Sequence, residues 1–179
     1  AKGCKALLQE QHQHSEFVVV AQGGLAPVAV LMAAQSPELV SKLVLASPPT
    51  WEDMTTAIPE KELSQNYYFL TSPIFGNLAF RLLESRWAIE FFSNAFLFES
   101  GSCDKDWVDN ACEDFSVSEM SRTPVQAFNA GFCQHRSFQT ELETLTQPTL
   151  ILSGTSDKRA IKRQPYESNM LYCQLETIP

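Results

Sequence analysis

The sequence is short of basic residues, histidine and long apolar runs, and each shortage removes a class of function. Thirteen Lys and Arg stand against 21 Asp and Glu, a formal net charge of -8 over 179 residues. Binding a phosphate backbone needs clustered cations that release counterions, so this acidic balance excludes a nucleic-acid footprint. The densest basic run, Lys158, Arg159, Lys162 and Arg163, follows Asp157 and reads as a solvated face. No stretch approaches the roughly 20 consecutive apolar residues that a membrane helix needs, so no transmembrane segment is expected. The five cysteines, Cys4, Cys103, Cys112, Cys133 and Cys173, are odd in number, lack C-x-x-C spacing and have no histidine at ligand intervals. Free thiols in a reducing compartment such as the cytoplasm are expected, with no metal and no cofactor. Only three histidines occur. His12 and His14 lie in a polar, Gln-rich stretch, and nothing beyond His135 supplies an imidazole base. No targeting peptide is visible: residues 1–13 read as a helix leading into a strand. With no initiator Met and an end at Ile178-Pro179, where a strand finishes, the natural protein is expected to extend beyond both ends.

What is present is the raw material of one core, with 44% of residues hydrophobic. Phe17-Val18-Val19-Val20-Ala21 is a continuous run of the kind buried in parallel sheets. Gly23 and Gly24 break it, and Pro27 falls near a helix start. Val28, Leu31, Met32 and Leu39 mark an apolar side, and Ser36-Pro37 closes the helix or kinks its last turn. Strands are predicted at residues 42–47, ending at Pro48-Pro49, then at 149–153, ending at Gly154, and at 173–178. Strand, glycine turn, helix and strand make a βαβ unit with a right-handed crossover.

Between the second and third strands lie residues of another texture. Leu78, Leu82, Leu83, Trp87, Phe91, Phe92 and Ala95 recur at steps of three and four, which predicts one amphipathic helix from about Asn77 to Phe98. Trp107, Val108 and Phe115, then Val125, Phe128, Phe132 and Phe138, predict two or three shorter helices. The expected organisation is an α/β core over residues 1–50 and 141–179, with a helical cap over 51–140 seated at the strands' C-terminal edge, where open α/β sheets place ligands.

The segment Val18-Val19-Val20-Ala21-Gln22-Gly23-Gly24-Leu25-Ala26-Pro27-Val28-Ala29 resembles the strand, elbow and helix of the α/β-hydrolase superfamily, whose pattern is small-x-nucleophile-x-small on a strained turn. Ala21 takes the first small position and Gly23 the nucleophile's place, while Leu25 departs from the second small residue. Pro37 to Leu45 resembles the family's next helix end and strand, and Pro148 to Asp157 resembles the strand that delivers the triad acid. That likeness implies the C-terminal part of an α/β-hydrolase fold, a parallel sheet with flanking helices plus a cap insertion, with Asp157 at the acid position. Ala46-Ser47-Pro48-Pro49-Thr50-Trp51, together with the aromatic cap, is similar to hydrolase-like proteins of plant chloroplasts and cyanobacteria, which implies a chloroplast or other plastid location.

Gly23 has no side chain with which to attack a substrate, and loss of a serine nucleophile costs on the order of a millionfold in turnover. The catalytic expectation is therefore none, with Gly23 and Asp157 as vestigial positions. A backbone anion hole can outlive the reaction, because the Gly24 amide opens a helix. The ligand-binding candidates are Gln22, Gly23, Gly24, Ser47 and Trp51. Each carries a plainer alternative: Gln22 as a solvent-facing turn residue, Ser47 as a hydrogen-bonding partner of the Pro48-Pro49 turn, and Asp157 as a loop or helix-cap residue. His135 reads as surface or packing, and Cys133 cannot face it across a two-residue helical step. The stripe of Tyr67, Phe69, Phe75, Phe80, Trp87, Phe91 and Phe92 reads as core between cap and sheet, or else as an apolar pocket or docking patch.

The function expected is that of a pseudoenzyme that holds an apolar small molecule under the cap or serves as a soluble subunit of a larger, photosynthetic or chloroplast, assembly. Four strands alone would leave a sheet edge and both faces poorly covered, so either the natural chain is longer or a protein partner supplies the cover. The alternative is a serine-independent hydrolase or lyase that uses an activated water on a small apolar ester-like or carbonyl substrate.

Overall fold

The computed structural model describes residues 2–11, 16–99, 101–117, 122–131 and 134–179. His12, His14, Phe132 and Cys133 lie outside them. The chain forms two compact units, Ala1–Ile58 with Cys133–Pro179, and Pro59–Phe132.

The first unit is built on a parallel sheet ordered β1-β2-β3-β4, with β1 at Phe17–Gln22, β2 at Val40–Ala46, β3 at Thr149–Gly154 and β4 at Cys173–Ile178. Helix α1 (Lys2–Gln11) precedes β1, and α2 (Ala26–Gln35) connects β1 to β2. Period-two alternation sends Val19 and Ala21, Leu43 and Leu45, Ile151, and Cys173 and Leu175 to one face, where they pack with Val30, Met54, Phe138, Leu142 and Tyr166. Helix α2 closes onto that face through Ala26, Ala29, Val30 and Ala33, whose small side chains allow close approach. Burying each of Leu43, Leu45 and Ile151 contributes about 1.5–3 kcal/mol.

The opposite face is less complete. Val18 and Val20 are 55% and 68% exposed. The sequence led to an expectation that both faces would be poorly covered; one is packed, because α2 and the chain from Phe138 to Leu145 return over it.

The second unit is helical: α4 (Glu60–Thr71), α5 (Phe75–Leu83), α6 (Arg86–Phe96), α7 (Lys105–Val117) and α8 (Arg122–Asn129). Short α3 (Trp51–Thr55) belongs to the first unit, as do α9 (Gln139–Thr144) and α10 (Gln164–Asn169). The single helix expected from Asn77 to Phe98 is two helices. Ser85 divides them: its hydroxyl donates to the Leu82 carbonyl at 2.6 Å and accepts from the Ala88 N–H at 3.3 Å, so a side-chain cap replaces the continuing backbone ladder. At Gly76 a Cβ would lie 2.2 Å from the Leu70 carbonyl oxygen, so only glycine permits α5 to approach α4 that closely. Gln126 donates to that same carbonyl at 3.0 Å and joins α8 to α4, and Arg86 pairs with Asp109 between α6 and α7.

The aromatic stripe read as core is mostly surface. Phe80 is buried at 3% exposure, but Phe69, Phe75, Trp87, Phe91 and Phe92 are exposed, with Trp87 at 67%. Helical spacing groups apolar residues along a helix; it could not show which of them five helices leave without a covering layer.

Candidate functional site

The parallel register brings the candidate residues to one edge. Gln22 pairs with Ala46, and Ala46 with Leu152, so Gly23, Ser47 and residues 155–157 follow from the C-terminal ends of adjacent strands. The elbow lies in the 3-10 turn Gly23–Leu25, where Gly23 has φ 53°, the left-handed region that favours glycine. A Cβ built there would meet nothing within 4 Å, so the bend points its missing side chain into open space. Gln22 just before it is exposed and caps nothing with its amide. Gly24 sits in the first turn, where backbone N–H groups lack an intrahelical partner.

Ser47 holds φ 43°, a left-handed conformation that costs a non-glycine residue about 1–2 kcal/mol. Its backbone N–H donates to the Leu152 carbonyl at 2.8 Å, which ties the end of β2 to β3. Trp51 opens α3 behind a capping box, in which Thr50 and Asp53 exchange hydrogen bonds at 3.1 and 3.2 Å. Its ring stands perpendicular to that of Tyr166 at 5.3 Å and packs against the core, a structural commitment for a residue read as a ligand contact.

Asp157 is held by other parts of the chain. Its carboxylate accepts from the Arg159 N–H at 2.8 Å and from the Arg163 guanidinium at 2.5 Å. Burial pushes this carboxyl upward, but the Arg159 N–H and the hydrogen bond and charge of Arg163 outweigh it and hold the group below its ordinary value. Arg163, expected on a solvated face, is 4% exposed. The correction has a physical basis: burial of the guanidinium is offset by Asp157 and by bonds from Nε to the Pro48 carbonyl at 2.6 Å and from Nη1 to the Ser153 hydroxyl at 3.3 Å. Lys158, Arg159 and Lys162 are exposed as expected. Arg163, Tyr166 and Met170 recur at steps of three and four, and that buried face is the signal the charge run concealed.

His135 is exposed, with its ring edge-on to Phe138 at 6.4 Å. Among the described residues no group of three or more His, Cys, Asp or Glu could hold a metal ion, and no helix is long and apolar enough to cross a membrane. Among the described residues of the helical unit, one open apolar groove of about 550 Å³ is lined by Tyr68, Phe69 and Phe75, and another of about 460 Å³ by Trp87 and Phe91.

The sequence matches no family model, and no curated protein is similar to it at the sequence level. Solved structures are similar in fold. A probable hydrolytic enzyme from Pseudomonas aeruginosa PAO1 superposes with a TM-score of 0.70 at 18% identity, over 99% of this chain and 60% of its own. The α/β hydrolase MGS-M2, from a Medee basin deep-sea metagenome library, gives 0.63 at 14% identity, over 99% and 62%. The epoxide hydrolase CorEH gives 0.64 at 12%, over 98% and 63%. The chain therefore carries the α/β-hydrolase fold in part, spanning about three fifths of the length of these proteins.

Proposed function

We propose that this protein is a non-catalytic member of the α/β-hydrolase fold that acts by binding. The observation that carries the reading is the left-handed bend at Gly23, open to solvent space and bare of a side chain, where the fold's resemblance calls for a nucleophile. Asp157 supports it, because a carboxylate paired to a buried arginine is a poor base. The bound partner is a small apolar molecule, for which exposed aromatic grooves give contact surface, or a protein for which this chain is a subunit. The subunit version draws on Val18 and Val20, since parallel strands are ordinarily covered on both faces. A plastid location is proposed on the resemblance of Ala46 to Trp51 together with the aromatic cap.

Three measurements test the reading. Incubation with p-nitrophenyl esters and a fluorophosphonate probe gives neither turnover nor labelling. Turnover without labelling favours the rival, a hydrolase or lyase that activates water in place of a serine. Native mass spectrometry of gently purified protein retains a small-molecule adduct for the ligand version, and a native gel shows migration far above the monomer for the subunit version. Fractionation of the source cells tests the plastid location.

A further inference from the structure

The strand-end segments beside Gly23 are joined by side chains as well as by the sheet. Pro48 and Pro49 have no N–H, so their carbonyls are the main-chain handles this stretch offers. Both are taken from one segment: Arg163 Nε donates to Pro48 at 2.6 Å, and the Tyr166 hydroxyl donates to Pro49 at 2.8 Å. Arg163 is fixed in turn by Asp157 and Ser153, and Tyr166 by the perpendicular ring of Trp51. Just before the two prolines, Ser47 holds its left-handed φ of 43°. A strained backbone of that kind persists only where its surroundings over-determine it.

We propose that Arg163 and Asp157 form a latch that holds the strap from Ser47 to Thr50 in its strained conformation at the C-terminal edge of the sheet, with Asp157 acting as the counter-ion of that latch. Both partners are needed. Removing Asp157 leaves a guanidinium buried without a compensating charge, and removing Arg163 takes the partner from Asp157 Oδ2 and from the Pro48 carbonyl. Tyr166 is the second fastening, one helical turn on. Because Ala46 pairs with Gln22, the strap lies on the strand next to the elbow, and the latch sets the position of that wall. The latch holds whether or not the protein turns over a substrate, so its failure and the failure of the binding reading are separable.

The test is hydrogen–deuterium exchange with urea unfolding on the 179-residue chain and its Arg163→Met, Asp157→Asn and double variants. Arg163→Met accelerates exchange of the Ser47 amide and the amides of residues 50–53 by about tenfold or more, while those of Val18 to Ala21 are unchanged. The unfolding midpoint of the double variant coincides with that of Arg163→Met, because the partners act as one. Should Arg163→Met fail to fold, Asp157→Asn and Tyr166→Phe carry the test, each accelerating strap exchange by about threefold or more. Unchanged strap exchange, or additive losses in the double variant, overturns the latch.

Discussion

Arg163 donates to Asp157 across 2.5 Å at the ends of β2 and β3, and this ion pair between a buried guanidinium and a half-buried carboxylate occupies the group that the fold's resemblance assigns to chemistry. The pairing has a sign that solution measurements read. Asp157 is held below its ordinary value of 3.8, and Glu141, 2.5 Å from Arg136, is also lowered despite burial. A carboxylate whose folded value is depressed contributes stability that is present above its unfolded value and lost as pH falls through the folded one. Urea unfolding across the acid range therefore shows stability falling below about pH 4, and Asp157→Asn makes that fall shallower. An unchanged acid limb in Asp157→Asn contradicts the prediction.

Substitution at Gly23 separates space from strain. A Cβ at the open bend meets nothing within 4 Å, but the residue that carries it must adopt φ 53°. Gly23→Ala loses about 1–2 kcal/mol, seen as a thermal midpoint lower by a few degrees. Gly23→Ser folds at a similar cost and gains no ester hydrolysis, because Asp157 is paired to Arg163 and a hydroxyl alone is a weak nucleophile.

Two aromatics of the same stripe have different weights. Phe80→Ala, at a buried position, costs about 3–5 kcal/mol of stability in the helical unit. Trp87→Ala, at 67% exposure, costs less than about 1 kcal/mol and alters binding or association instead. Denaturation midpoints of the two variants check the contrast, and equal losses would refute it.

Burial, with Glu167 adding to it, pushes the Cys173 thiol up to about 12. Native protein at pH 8 leaves Cys173 unalkylated by iodoacetamide, and unfolding exposes it to reaction. Peptide mass spectrometry reads this directly, and fast native labelling at Cys173 goes against it.

The sheet was legible because its signals are local. Strand runs such as Phe17 to Ala21 and Thr149 to Ser153 end at Gly or Pro, and the glycine pair after β1 marks a bend that requires positive φ. The break at Ser85 was hidden by an apolar period that continues from α5 into α6, although Ser85 is itself a strong cap residue. Arg163 was hidden because a charge run gives no account of which cation turns inward; that depends on Asp157 and on the Pro48 carbonyl over a hundred positions away. Exposure of Trp87 and Phe91 was likewise beyond the pattern, since periodicity defines a face and not what covers it.

The most direct measurement is fluorophosphonate labelling of the protein with parallel p-nitrophenyl ester assays. With a bare left-handed bend at Gly23, no serine is modified and no ester is cleaved above the uncatalysed rate. Stoichiometric modification of any serine, Ser47 above all, would contradict the account.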